Sequence, residues 1–181
     1  MRIAPLAFLL DPSNDDERRT LRDVCRITHH HDEAYIGAVA VVHAVRLASG
    51  PDFAPSTMLA DVASRLPDSQ VRDRMAQLSA LADDVSPADA ARLHGSSGFV
   101  AESVPLALFA ARDIHRRSFA DTVQRAIEAG GDTDTIGSIT GQVAGAAVGA
   151  SALPPDLLAR LNELGAITTI AEGFAAHVCA R

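Results

Sequence analysis

From Thr135 to Pro155 the chain carries no charged side chain, and within that run Gly137, Gly141, Gly145 and Gly149 recur at every fourth position. Four-residue recurrence falls on one face of a helix. A glycine inside a helix costs roughly 1 kcal/mol relative to alanine. Four on one face therefore imply a second helix packed close enough to offset that cost. The run is preceded by Gly130-Gly131-Asp132-Thr133-Asp134-Thr135. The paired glycines permit a tight turn with positive φ, and the helix behind it directs Asp132, Asp134 and Thr135 outward from its N-terminus.

Carboxylate and hydroxyl oxygens are hard donors that suit magnesium, calcium or manganese. No Cys or His stands nearby to suggest zinc. The positive end of the helix dipole favours both carboxylates as anions. The same residues also suit a plain helix start, with Asp132 or Thr133 as N-cap and Asp134 in the first turn. The short D-x-D-T pattern taken alone divides evenly between metal site and cap.

The uncharged run is long enough to span a membrane. Ser138, Thr140, Gln142 and the glycines make it only mildly apolar, and its leading aspartates are unlike a basic interfacial flank. It reads as a central core helix. The 181 residues suit one domain, residues 1–181, with a core of its own. A formal net charge of −7 argues against nucleic acid as a partner. Cys25 and Cys179 form no metal or redox motif, which points to a reducing, cytoplasmic setting without a disulfide framework. Residues 1–10 are too short for a membrane span, and Pro5 with the acidic continuation argues against a signal peptide.

Apolar spacing predicts a helix over 15–27 with Leu21, Val24 and Cys25 inward, and another over 33–48 stopped by Ser49-Gly50-Pro51. His43 on the second reads as a packed or partly exposed residue. Residues 51–94 should form two or three shorter helices, with Ser56, Asp68 and Ser86 as N-cap types. A largely buried helix is expected over 101–111. An amphipathic one follows over 118–129, with Phe119, Val123, Ala126 and Ile127 inward. Two more, over 157–164 and 166–180, close the chain. The fold class is all-α: a multi-helix orthogonal bundle of about nine to eleven helices around the Gly-rich one.

Four other clusters invite chemistry. In Thr28-His29-His30-His31-Asp32, neighbouring helical side chains fan about 100° apart and cannot easily share one metal, so a capped junction is the plainer reading. Asp15-Asp16 and Asp83-Asp84 have ordinary cap or surface-turn explanations. Gly95-Ser96-Ser97-Gly98-Phe99 precedes a helix and leaves free N–H groups suited to an anion.

Gly130-Gly131-Asp132-Thr133-Asp134-Thr135-Ile136, the Gly/Ala-rich helix and Leu153-Pro154 together closely resemble the C-terminal signature of the ADP-ribosylglycohydrolase family. The resemblance implies an all-helical fold, a pair of magnesium ions, and cleavage of the glycosidic bond joining ADP-ribose to a protein side chain or small molecule. It assigns Asp132, Asp134 and Thr135 to metal. Thr28-His29 resembles a Thr-His beside the family's substrate cleft. Gly98-Phe99 resembles part of a Gly-x-Gly-aromatic segment, with the Phe99 ring either stacking on ADP-ribose or buried in the core. Met1-Arg2-Ile3-Ala4-Pro5-Leu6 is similar to a segment inside the family's usual length. That implies an N-terminally truncated member lacking the Thr-Asp-Asp motif, which supplies the other metal ligands and the setting for a carboxylate base. Two functions follow. One is a magnesium-dependent ADP-ribosyl hydrolase. The other is an inactive helical binding module, whose apolar faces associate with a second copy or a separately encoded N-terminal half.

Overall fold

Helix starts are set by side chains that accept the otherwise unpaired first-turn N–H groups. Asn14 Oδ1 accepts from the N–H of Asp16 (3.0 Å) and Glu17 (3.3 Å) and opens α1, Asp15–Arg26. His31 Nδ1 accepts from Glu33 (3.1 Å) and opens α2, Asp32–Ala48. Ser69 opens α4 (Gln70–Ser79), Ser86 opens α5 (Pro87–His94) and Ser118 opens α7 (Phe119–Glu128), each hydroxyl accepting from the third helical residue. The remaining helices are α3 (Met58–Ala63), α6 (Val100–Ala111), α8 (Thr133–Val148), α9 (Pro155–Leu158) and α10 (Leu164–Cys179). The computed structural model describes residues 2–180. Among the described residues there are three further 3₁₀ turns, no strand, and no helix long and apolar enough to cross a membrane. The all-α bundle expected from the sequence is the observed fold.

Two caps fall one residue later than expected. Ser69 rather than Asp68 takes the amide, because Asp68 is turned outward to pair with Arg72. Thr57 rather than Ser56 precedes α3, and its hydroxyl donates to Asp61 Oδ2 at 2.7 Å instead of capping.

The centre is built by α2, α6 and α8. Nearly all of α6 is buried, including Phe109, and Thr140 Oγ1 on α8 donates to the Ala107 carbonyl at 3.0 Å within this core. Gly37 lets α2 lie directly against Val100 of α6, since a side chain there would collide with the valine. This close approach is not evident from the glycine spacing on α8.

On α8 itself the glycine face receives α7, but the contact is not uniform. A Cβ on Gly137 would stand 3.0 Å from Ile127 Cγ1, tighter than ordinary packing. On Gly141 and Gly145 it would find Val123 and Phe119 no nearer than 3.7 Å, ordinary van der Waals separation. Gly149 is not on the face at all: at φ +75° it ends the helix. The uninterrupted core helix expected over 135–155 therefore stops at Val148. Val24 and Ile127, expected inward, are partly exposed. Neither α9 nor α10 contributes a buried residue.

Candidate functional site

After α7 the chain reverses through Gly130 (φ +78°) and Gly131 (φ +75°), left-handed values that a side chain rarely adopts. The Ser96 carbonyl occupies the space a Cβ on Gly131 would need, and it accepts from the Asp132 N–H at 2.8 Å. The acidic turn is thus fastened to the Ser96–Gly98 loop. That loop has its own support in Glu102. Its Oε2 accepts from the Ser97 N–H at 2.9 Å and the Ser97 hydroxyl at 2.7 Å. The Ser97 hydroxyl first, and its N–H second, hold the Glu102 carboxyl below the usual carboxylate range. Gly95 (φ +87°) lets the backbone pass the carboxylate without collision.

Asp132 is the N-cap residue of α8, yet its side chain caps nothing. This separates it from Asn14, His31, Ser69, Ser86 and Ser118, which all accept from the helices they open. Its carboxylate lies toward Gly98, where an added Cβ would stand 3.0 Å from Oδ2. Gly98 is therefore small because Asp132 fills the space. Asp134 is exposed; Asp132 and Thr135 are half-buried. Hydrogen bonding with the Asp132 carboxyl, followed by the Thr135 N–H, holds the Asp134 carboxyl below its ordinary value. Two carboxyls this close repel when both are ionised, and a cation between them would relieve the repulsion. The donors and their openness to solvent fit a hard divalent ion. No group of three His, Cys, Asp or Glu side chains that could hold a metal occurs among the described residues.

The structure thus brings Gly98, Asp132 and Asp134 together, with Thr135 one residue on. Phe99 adjoins them as the N-cap residue of α6; it is 44% exposed, so its ring is not core. Thr28 and His29 stand apart on the exposed α1–α2 junction, joined to each other by Thr28 Oγ1 and His29 Nδ1 at 2.8 Å. Ser96 and Glu102 were not recognised from the sequence as the parts that fasten the turn. One signal was present: a glutamate at the third position of a helix commonly reaches back to the segment before it.

The whole chain, residues 1–181, matches the family described as ADP-ribosylglycohydrolase. An uncharacterized protein of Archaeoglobus fulgidus is 31% identical over 152 residues, covering 81% of this chain and 47% of its own length. The chain therefore spans about half the length of that relative. The family model spans residues 1–181, and the chain belongs to the ADP-ribosylglycohydrolase family.

Proposed function

We propose that this chain carries part of a magnesium-dependent ADP-ribosyl hydrolase site, acting on ADP-ribose joined to a protein side chain or small molecule. The observation that carries the reading is the Asp132 side chain, which caps no amide of the helix it opens and lies beside the Asp134 carboxyl. Asp132 and Asp134, with the Thr135 hydroxyl, would hold the ion. Held there, magnesium would supply Lewis acidity toward a ribose hydroxyl or water. The exposed Phe99 ring offers a stacking face for the ligand, and the Gly98 backbone allows close approach. Thr28 and His29 are proposed as further substrate contacts, on the separate α1–α2 junction. Two carboxylates are fewer oxygens than magnesium requires. The remaining ligands and any general base must come from water or from protein beyond these residues.

The test is release of ADP-ribose from an ADP-ribosylated protein. Release should require magnesium and fall to background in Asp132→Ala/Asp134→Ala. Metal-independent release that persists in the double variant removes the reading.

A second reading is favoured by the exposed apolar residues of α10, where Ile170 is 72% exposed. Here the chain is a helical binding module that associates with its own copy or with a separately encoded N-terminal half. Magnesium-dependent release by the isolated chain would count against it, as would a strictly monomeric chain in sedimentation across concentration.

A further inference from the structure

Along α2, six residues beyond Gly37, the side chain of His43 is 5% exposed. No hydrogen bond to either ring nitrogen occurs among the described residues, and neither nitrogen is one of the fully buried unpartnered atoms, which are Thr122 Oγ1 and Arg125 Nε. The ring is not sealed in the core. It forms part of the wall of a cavity of about 470 Å³, together with Phe8, Asp11, Arg46, Leu47 and Arg65. None of these residues belongs to the Asp132 turn or the Ser96–Gly98 loop.

The charges in this cavity are unevenly committed. Arg46 Nη1 donates to the Ala7 carbonyl (3.1 Å) and the Leu10 carbonyl (3.2 Å), and its Nη2 lies 3.6 Å from Asp11 Oδ2. Asp11 also accepts from the Ser13 N–H at 2.9 Å, which holds its carboxyl below the usual range. The guanidinium of Arg65, which follows α3, makes no ion pair or hydrogen bond among the described residues, yet it lines the same cavity. Two guanidinium groups against one carboxylate leave one positive charge unbalanced. Burial first, and the Arg65 charge second, push the His43 imidazole down to about 4. The ring is therefore neutral at physiological pH, and one of its nitrogens is an N–H donor. Phe8 and Leu47 supply an apolar wall beside these polar groups.

We propose that this cavity is a second ligand site, distinct from the Asp132 turn, which takes a small oxyanion, a carboxylate or phosphate group on a compact apolar body. The unpaired Arg65 guanidinium and the His43 N–H would bind the anionic head, and Phe8 and Leu47 would cover the apolar body. The volume lies within the range usual for small-molecule sites. An anion placed beside His43 also offsets the repulsion from Arg65 and Arg46, so binding should draw a proton onto the imidazole. Asp11 already sits within reach of that charge and is held by Arg46 and Ser13, so it cannot substitute for the ligand. The site does not rest on the ADP-ribosyl reading.

The experiment is calorimetric titration of the full chain at about pH 6 with phenyl phosphate, benzoate and inorganic phosphate, in two buffers of different ionisation enthalpy. Saturable binding of an organic probe is expected, with proton uptake. Inorganic phosphate should bind more weakly for want of the Phe8 and Leu47 contact. Phenyl phosphate alone would identify a phosphate ester, and benzoate alone a carboxylate; either supports the site. Arg65→Gln, an exposed substitution that leaves the core intact, should weaken binding at least about ten-fold. His43→Gln should abolish the proton uptake, whereas Asp132→Ala should leave binding unchanged. No saturable binding by any probe, equal affinity in Arg65→Gln, or net proton exchange unchanged in His43→Gln each overturns the proposal.

Discussion

Helices α8 and α10 are each sixteen residues long, rich in small and apolar side chains, and almost free of charge. They have opposite fates. α8 buries Ile136, Ile139, Val143 and Ala144 and lies against α2, α6 and α7. α10 buries nothing, and Phe174 touches the rest through one edge-on aromatic contact with Phe8 at 6.3 Å. Average apolarity is common to both helices, so it cannot be what seats one of them. The difference lies in neighbours of matching shape. α7 follows the glycine face of α8, whereas nothing stands within 4 Å of where a side chain would begin on Gly165 or Gly173 of α10. Apolar composition brings a helix to the edge of a core; complementary surfaces bring it in.

The comparison breaks most readily at a pair of isoleucines. Ile136 on α8 is fully buried, and Ile170 on α10 is largely exposed. Truncating Ile136 to alanine removes buried contacts and leaves a cavity, at about 2–5 kcal/mol. Truncating Ile170 should change stability by less than about 0.5 kcal/mol. Urea unfolding of the two variants measures the contrast. Similar losses in both would mean that α10 is covered in solution and that the two helices are alike after all.

Acid should act on the bundle and spare α10, because the buried group that titrates in the acid range, among the described residues, is His43 on α2. Its folded value is pushed down to about 4, against 6.5 for an unperturbed imidazole. Between those values the unfolded chain holds a proton that the folded chain refuses. Stability is therefore fully present above about pH 6.5 and falls as pH drops toward 4, by roughly 3 kcal/mol if His43 alone is counted. Unfolding midpoints across this window, compared between the native chain and His43→Gln, test the attribution. A slope unchanged by the substitution assigns the acid sensitivity to other groups.

The element plan was legible because its signals are local. The helix expected over 101–111 is found at Val100–Ala111, and Ser86 caps where expected, since a cap depends on only a few neighbouring residues. The Asp132–Thr135 string was equally legible as a motif. What fastens it was not: the Ser96 carbonyl behind Gly131 joins segments that only the fold brings together. The same limit explains the error on the glycine face. Regular spacing of Gly137, Gly141, Gly145 and Gly149 implied uniform close packing, but the distance to α7 varies along α8. Only Gly137 is crowded, and Gly149 serves as a stop. No spacing rule reports the distance to a helix that has not yet been placed.

The smallest effect discriminates most finely between the two helices. A Cβ on Gly145 would meet Phe119 at 3.7 Å, and on Gly173 it would meet nothing. Both glycines are helical, so alanine at either should strengthen its helix by about 0.5–1 kcal/mol. That gain reaches the unfolding midpoint only where the helix unfolds together with the core. Gly145→Ala should therefore raise the midpoint, while Gly173→Ala should raise helical content by circular dichroism and leave the midpoint where it was. A midpoint lowered by Gly145→Ala would show that α7 presses more closely on α8 than 3.7 Å. A midpoint raised by Gly173→Ala would show that α10 is coupled to the core through more than the contact between Phe174 and Phe8.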